Sequence, residues 1–88
     1  MICRVAVHEQ PSRSIRNEGA ASFRRWMREQ PGFRAGWHVQ DPESGRIVSI
    51  SLWESQAHLD AMIGRTPPGG PVGLAPARVD VFTIVEEF

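Results

Sequence analysis

Between Pro31 and Glu54 the chain spells a helix stop, a strand, a turn and a second strand. Pro31 has no N–H to donate and Gly32 tolerates positive φ, so together they end a preceding helix. Phe33, Ala35, Trp37 and Val39 then alternate with Arg34, Gly36, His38 and Gln40. A period of two predicts a strand with two unlike faces. Asp41-Pro42-Glu43-Ser44-Gly45-Arg46 supplies turn residues, and Arg46 to Trp53 returns as a second strand. This hairpin constrains the fold class more than any other stretch.

The flanks extend the pattern. Ile2 to His8 reads as a first strand, with Cys3, Val5 and Val7 on one face and Ile2, Arg4, Ala6 and His8 on the other. Ser12, Ser14 and Asn17 are alternative caps for a helix running to about Gln30, since each offers a side-chain acceptor to a free backbone N–H. Ile15, Gly19, Phe23, Trp26 and Met27 form its stripe at helical spacing. In the third strand Val48, Ile50 and Leu52 oppose Ile47, Ser49, Ser51 and Trp53. Ser55 is the expected cap of a second helix, Gln56 to about Ile63, which Gly64 helps to end. Thr66 to Pro76 is rich in Gly and Pro and predicts an irregular surface loop. Arg78 to Val85 completes the set as a fourth strand.

The order is β-α-β-β-α-β, so the expected fold class is α+β, ferredoxin-like, with a four-stranded antiparallel sheet. The 88 residues make one domain, residues 1–88, with a small core. Two helices cover one face of such a sheet. The bare face is expected to carry Arg4, Ala6, His8, His38, Ser49, Ser51 and Asp80 with some apolar residues, and to pack against the same face of a second copy. A homodimer through the open sheet face is therefore the expected partner.

Composition narrows the function classes. Ten basic and ten acidic residues leave a formal net charge of zero, so no footprint for nucleic acid or an anionic membrane is expected. The single cysteine excludes an internal disulfide and a cysteine metal cluster. The three histidines have no metal-ligand spacing, and the Gly69-Gly70 loop lacks a phosphate-cradling pattern. No stretch reads as a membrane span or a signal peptide, which makes a cytoplasmic location the expectation.

Three local features in register carry a resemblance: Phe23 to Phe33 as a helix running into Pro-Gly-Phe, the Asp41 to Arg46 turn, and Leu52-Trp53-Glu54-Ser55 opening the second helix. With the element order, they make the chain resemble the antibiotic biosynthesis monooxygenase superfamily, whose members are dimeric α+β barrels. The resemblance spans nearly the whole chain. The haem-degrading branch uses an Asn on the first strand, a Trp in the second helix and a His near that helix's end. Here Asn17 is the only Asn, the second helix has no Trp, and His58 comes early, so no haem is expected.

What the resemblance implies is a cofactor-independent monooxygenase acting on a small aromatic or polyketide-like molecule. Such chemistry needs a base, donors for a developing oxyanion and a dry pocket. His38 and His8 are the candidate catalytic bases, because His titrates near neutral pH. Trp37 and Trp53 are candidates to flank an aromatic substrate, and Arg34 to hold an anionic group. Phe23 and Trp26 read as helix core and, on the family's plan of a pocket between helices and sheet, as its lining. Trp37 and His38 point to opposite faces, so one subunit does not place both in one pocket. The alternative is a non-catalytic small-molecule-binding or accessory protein on the same fold; the chain has no Tyr and no Asn in the expected site.

Overall fold

The structure, a computed structural model, describes residues 1–8, 18–65 and 76–88. The elements are β1 (Ile2–His8), α1 (Glu18–Arg28), β2 (Phe33–Gln40), β3 (Ile47–Trp53), α2 (Gln56–Ile63) and β4 (Arg78–Thr83). The sheet is antiparallel with strand order β2-β3-β1-β4. This is an α+β fold compatible with ferredoxin-like topology. The fourth strand ends at Thr83, two residues before the expected Val85. The candidate caps Ser12, Ser14 and Asn17 and most of the Thr66 to Pro76 loop lie outside the described residues. Among the described residues, no helix is long and apolar enough to cross a membrane.

Local chemistry sets the connections. In the β2–β3 turn the Asp41 carboxylate accepts from the backbone N–H groups of Glu43 (2.8 Å) and Ser44 (3.3 Å). Those two bonds hold its carboxyl below the ordinary value. Gly45, at φ 76°, takes the left-handed position that closes the hairpin. Ser55 caps α2, its Oγ accepting from the His58 N–H at 3.2 Å. Gly64 ends α2 in ordinary right-handed geometry (φ −75°), so its role there does not draw on positive φ.

Gly32 ties the helices to the hairpin. Its φ is 82°, and a Cβ there would come 2.3 Å from Cγ of the His58 ring. Its carbonyl accepts from the Glu54 N–H at 2.8 Å. The exit of α1 is thereby fixed beside the entry of α2.

Both helices cover the same side. Trp53, Leu59 and Met62 form the buried centre, with Ile2, Trp26, Met27 and Phe33 packed on it. Phe33 meets Trp53 edge-on, ring centroids 5.4 Å apart. Phe33 reaches that side because of a register shift between Phe33 and Ala35: Phe33 pairs Trp53, whereas Ala35 pairs Leu52. Such a bulge inserts one residue and breaks the period of two. Phe33 therefore does not share a face with Ala35, Trp37 and Val39.

The register overturns the expected face assignment. Arg4, Ala6, His8, His38, Ser49 and Ser51 share the helix-covered side with Ile2 and Trp53. The bare side is built of three rows: Ala35-Leu52-Cys3-Phe82, Trp37-Ile50-Val5-Asp80 and Val39-Val48-Val7-Arg78. Only the corner pair is polar, Arg78 Nε donating to Asp80 Oδ2 at 2.7 Å. Asp80 alone of the residues expected on the bare face is found there.

Candidate functional site

The covered face has an apolar end and a polar end. At the apolar end Trp53 is fully buried and its indole N–H donates to Ser51 Oγ at 3.0 Å. This bond satisfies both groups within the sheet, so the Trp53 donor is occupied. One row along, Gly36, Ser51, Arg4 and Val81 lie side by side. The following rows carry His38, Ser49 and Ala6, then Gln40, Ile47 and His8.

Between α1, α2 and β1 a cleft of about 210 Å3 opens, lined by Arg4, Phe23, Trp26, Met27, Met62 and Arg65, with Ile63 at its edge. Phe23 and Trp26 come from adjacent turns of α1, their ring centroids 6.1 Å apart and tilted by 30°. Met27 and Met62 supply polarizable, adaptable walls. Arg65 bridges the helices across the opening, its Nη1 donating to Gln30 Oε1 at 2.7 Å. Gln30 in turn donates through Nε2 to the Trp26 carbonyl at 3.0 Å.

Arg4 supplies the charge in this cleft. It projects from β1 into the covered side, half-buried, and its Nε is buried with no hydrogen-bond partner among the described residues. Burial lowers its pKa, yet a guanidinium stays charged at any working pH. A buried polar group without a partner costs of the order of 1–3 kcal/mol, and more when charged. The sequence pattern placed Arg4 on the bare face and passed it over. The available signal was its alternation with Ile2, on the same face as the buried Trp53.

The remaining candidates separate into three places. Phe23 and Trp26 line the cleft, with Trp53 in the core behind it. His8 and His38 share the covered face on different rows, outside the cleft lining. His38 is exposed, and its pKa lies below the ordinary value through partial desolvation, then the positive fields of Arg24 and His8. Trp37 stands on the bare face, 52% exposed. Arg34 is an exposed residue whose Nη1 pairs with Glu54 Oε1 at 3.0 Å. The sequence candidates therefore do not converge on one pocket. His58 is half-buried, its Nδ1 2.7 Å from Ser55 Oγ, and serves the cap of α2.

Among the described residues, no three His, Cys, Asp or Glu side chains gather as metal ligands. No protein-family model matches the chain and no curated protein matches it, so the reading of the site rests on its own residues.

Proposed function

We propose that the protein is a dimeric α+β barrel of the antibiotic biosynthesis monooxygenase kind, oxygenating a small aromatic or polyketide-like molecule without a cofactor. One observation carries this reading: Arg4, Ser49, Ser51 and His8 share the helix-covered side with the apolar core, while ten of the twelve positions on the other side are apolar. A two-layer domain that stands alone gains nothing from an apolar outer face. The pattern suits a ligand site beneath the helices and a second copy against the bare face. The twelve-position grid spans roughly 400 Å2 in plan, taking strand spacing and rise at about 4.8 and 3.4 Å. That is on the scale of the largest apolar patch of a typical monomer, and such patches are often functional. The cytoplasmic setting of this reading fits a chain whose one cysteine, Cys3, is a free thiol.

The chemistry proposed starts at an acidic ring CH2 beside a carbonyl. A base, for which His38 and His8 are the available groups, removes one proton. The carbanion passes an electron to O2, and the radical pair joins as a peroxide. Protonation and loss of water then leave a new carbonyl, so one O2 yields one carbonyl oxygen and one water. The aromatic walls seat the ring, and a cationic donor stabilises the enolate oxygen.

A second reading, a non-catalytic binding module, is favoured by the lining of the cleft, which among the described residues contains two arginines and no histidine. Oxygen-electrode assays separate the two. Uptake of one O2 per substrate with an anthrone, quinol and phenol panel, free of added metal or flavin, supports oxygenation. Silence across the panel leaves binding. Light scattering at micromolar concentration tests assembly: twice the monomer mass is expected, and a folded monomer contradicts the dimer.

A further inference from the structure

We infer that the cleft between α1 and α2 recognises an aromatic anion, its acidic oxygen held by Arg4 and its ring stacked among Phe23, Trp26 and Met27. This deepens the reading above and takes from it that the cleft is a ligand site.

Four observations converge. The cleft is open to solvent and measures about 210 Å3, the scale of one or two fused rings and below the volumes that drug-sized ligands need. Its walls are two aromatic rings and two methionines, surfaces that hold a flat apolar body. Its floor holds a cation, and Nε of that cation lacks a partner among the described residues. Among the described residues no carboxylate belongs to the lining, so none of them neutralises the charge from within the cleft. Arg65, at the opening, keeps its own partner in Gln30 and adds positive potential without being committed to an anion.

A guanidinium offers five donors in a fixed planar fork, which matches a carboxylate or a phenolate better than a neutral oxygen. A neutral ligand leaves the charge uncompensated in its half-buried setting. An anion in the cleft supplies the missing countercharge, reached through the outer edge of the guanidinium, since Nε itself is buried. Discrimination between anion and neutral isostere is therefore the property that Arg4 builds into the cleft.

The test uses 1-naphthoate and its neutral counterpart 1-naphthalenemethanol, titrated against the full chain by calorimetry, with quenching of tryptophan fluorescence as the second readout. The wild-type protein is expected to bind naphthoate about tenfold more tightly or better, the scale of one charge-assisted hydrogen bond. Arg4→Met, which fills similar space and removes no hydrogen bond of Nε, is expected to erase that preference. Arg4→Lys keeps the charge and is expected to retain part of it, which separates loss of recognition from loss of fold. Equal affinity for the two probes in the wild type overturns the inference. So does a preference that survives in Arg4→Met, or no naphthoate binding at millimolar concentration. Absence of oxygen uptake alongside an intact naphthoate preference removes the oxygenase reading and leaves anion recognition standing.

Discussion

The two faces of this sheet differ in the kind of order that they carry. On the bare face, ten of the twelve positions in three rows are apolar, yet Trp37 (52%) and Phe82 (54%) stay exposed. On the covered face, fully buried Trp53 and Leu59 sit beside rows that hold Arg4, His38 and His8. The covered face has completed its packing at one end and left a charged cleft next to it. The bare face has apolar surface that nothing among the described residues covers. Substitutions on the covered face should therefore change stability and ligand selectivity. Substitutions on the bare face should change association.

The largest expected effect breaks the bare face. Ile50 stands in its middle row, between Trp37 and Val5. In the proposed dimer, Ile50→Arg would place an unpaired charge in the interface, at a cost of about 3–5 kcal/mol. Dimer dissociation should strengthen at least about 100-fold on that scale. The monomer should keep its sheet, because this side chain touches solvent when alone. Light scattering with circular dichroism checks both halves. An Ile50→Arg chain that remains dimeric would remove the functional distinction between the faces.

Next is the covered face. Leu59 is wholly buried against Trp53 and Met62. Leu59→Ala deletes three heavy atoms and leaves a cavity, at about 2–5 kcal/mol. Val39→Ala, on the bare face and 45% exposed, should cost well under half of that in the monomer. Urea unfolding of both variants in an Ile50→Arg background measures the contrast without the contribution of assembly. Comparable losses at the two positions would show that the bare face is already packed in the single chain.

The strand and helix order was legible because period two and period 3.6 survive in single sequences. The boundaries of β1, β2 and α2 coincide with the expected ones, since Pro31-Gly32, Asp41 to Gly45 and Ser55 are local punctuation. The identity of the covered face was not legible. Alternation divides a strand into two sets and does not say which set meets a helix. The bulge after Phe33 compounds this by moving Phe33, which packs edge-on to Trp53, across the sheet. A count of apolar residues points to the wrong side, because the larger count belongs to the face that the described residues leave bare. Side-chain volume points to the right one: Trp53, Phe33, Trp26 and Met62 all meet there. Arg4 followed from the same error. Its meaning depends on the side to which it projects, and one strand read alone does not supply that.

Arg4 also gives a stability prediction of opposite sign. A half-buried cation with a buried, unpartnered Nε is a burden on the fold in the absence of ligand. Arg4→Met should raise the stability of the ligand-free protein by about 1 kcal/mol or more, within the range seen when buried charges give way to apolar groups. Thermal unfolding should show a higher Tm, while 1-naphthoate should stabilise the wild type and not the variant. A lower Tm for Arg4→Met would mean that the guanidinium stem packs better than its charge costs.

The smallest effect concerns His38, at the polar end of the covered face. Its pKa is depressed, chiefly by partial desolvation and then by Arg24 and His8. The folded chain therefore resists protonation more than the unfolded chain does. In the window between the folded pKa and the unfolded value of about 6.5, the unfolded state binds more protons, so stability rises with pH. Acidification from about pH 7 through that window should weaken the protein, with the full penalty present once pH lies below the folded pKa. His38 is exposed, so screening holds the penalty to a few tenths of a kcal/mol at most. Titration of the His38 ring by NMR should give a midpoint below 6.5, and Arg24→Gln should move it upward by removing a positive field. His38→Gln should flatten that part of the pH–stability curve. If Arg24→Gln leaves the midpoint in place, desolvation and His8 set it, and Arg24 exerts no electrostatic hold on the polar end of this face.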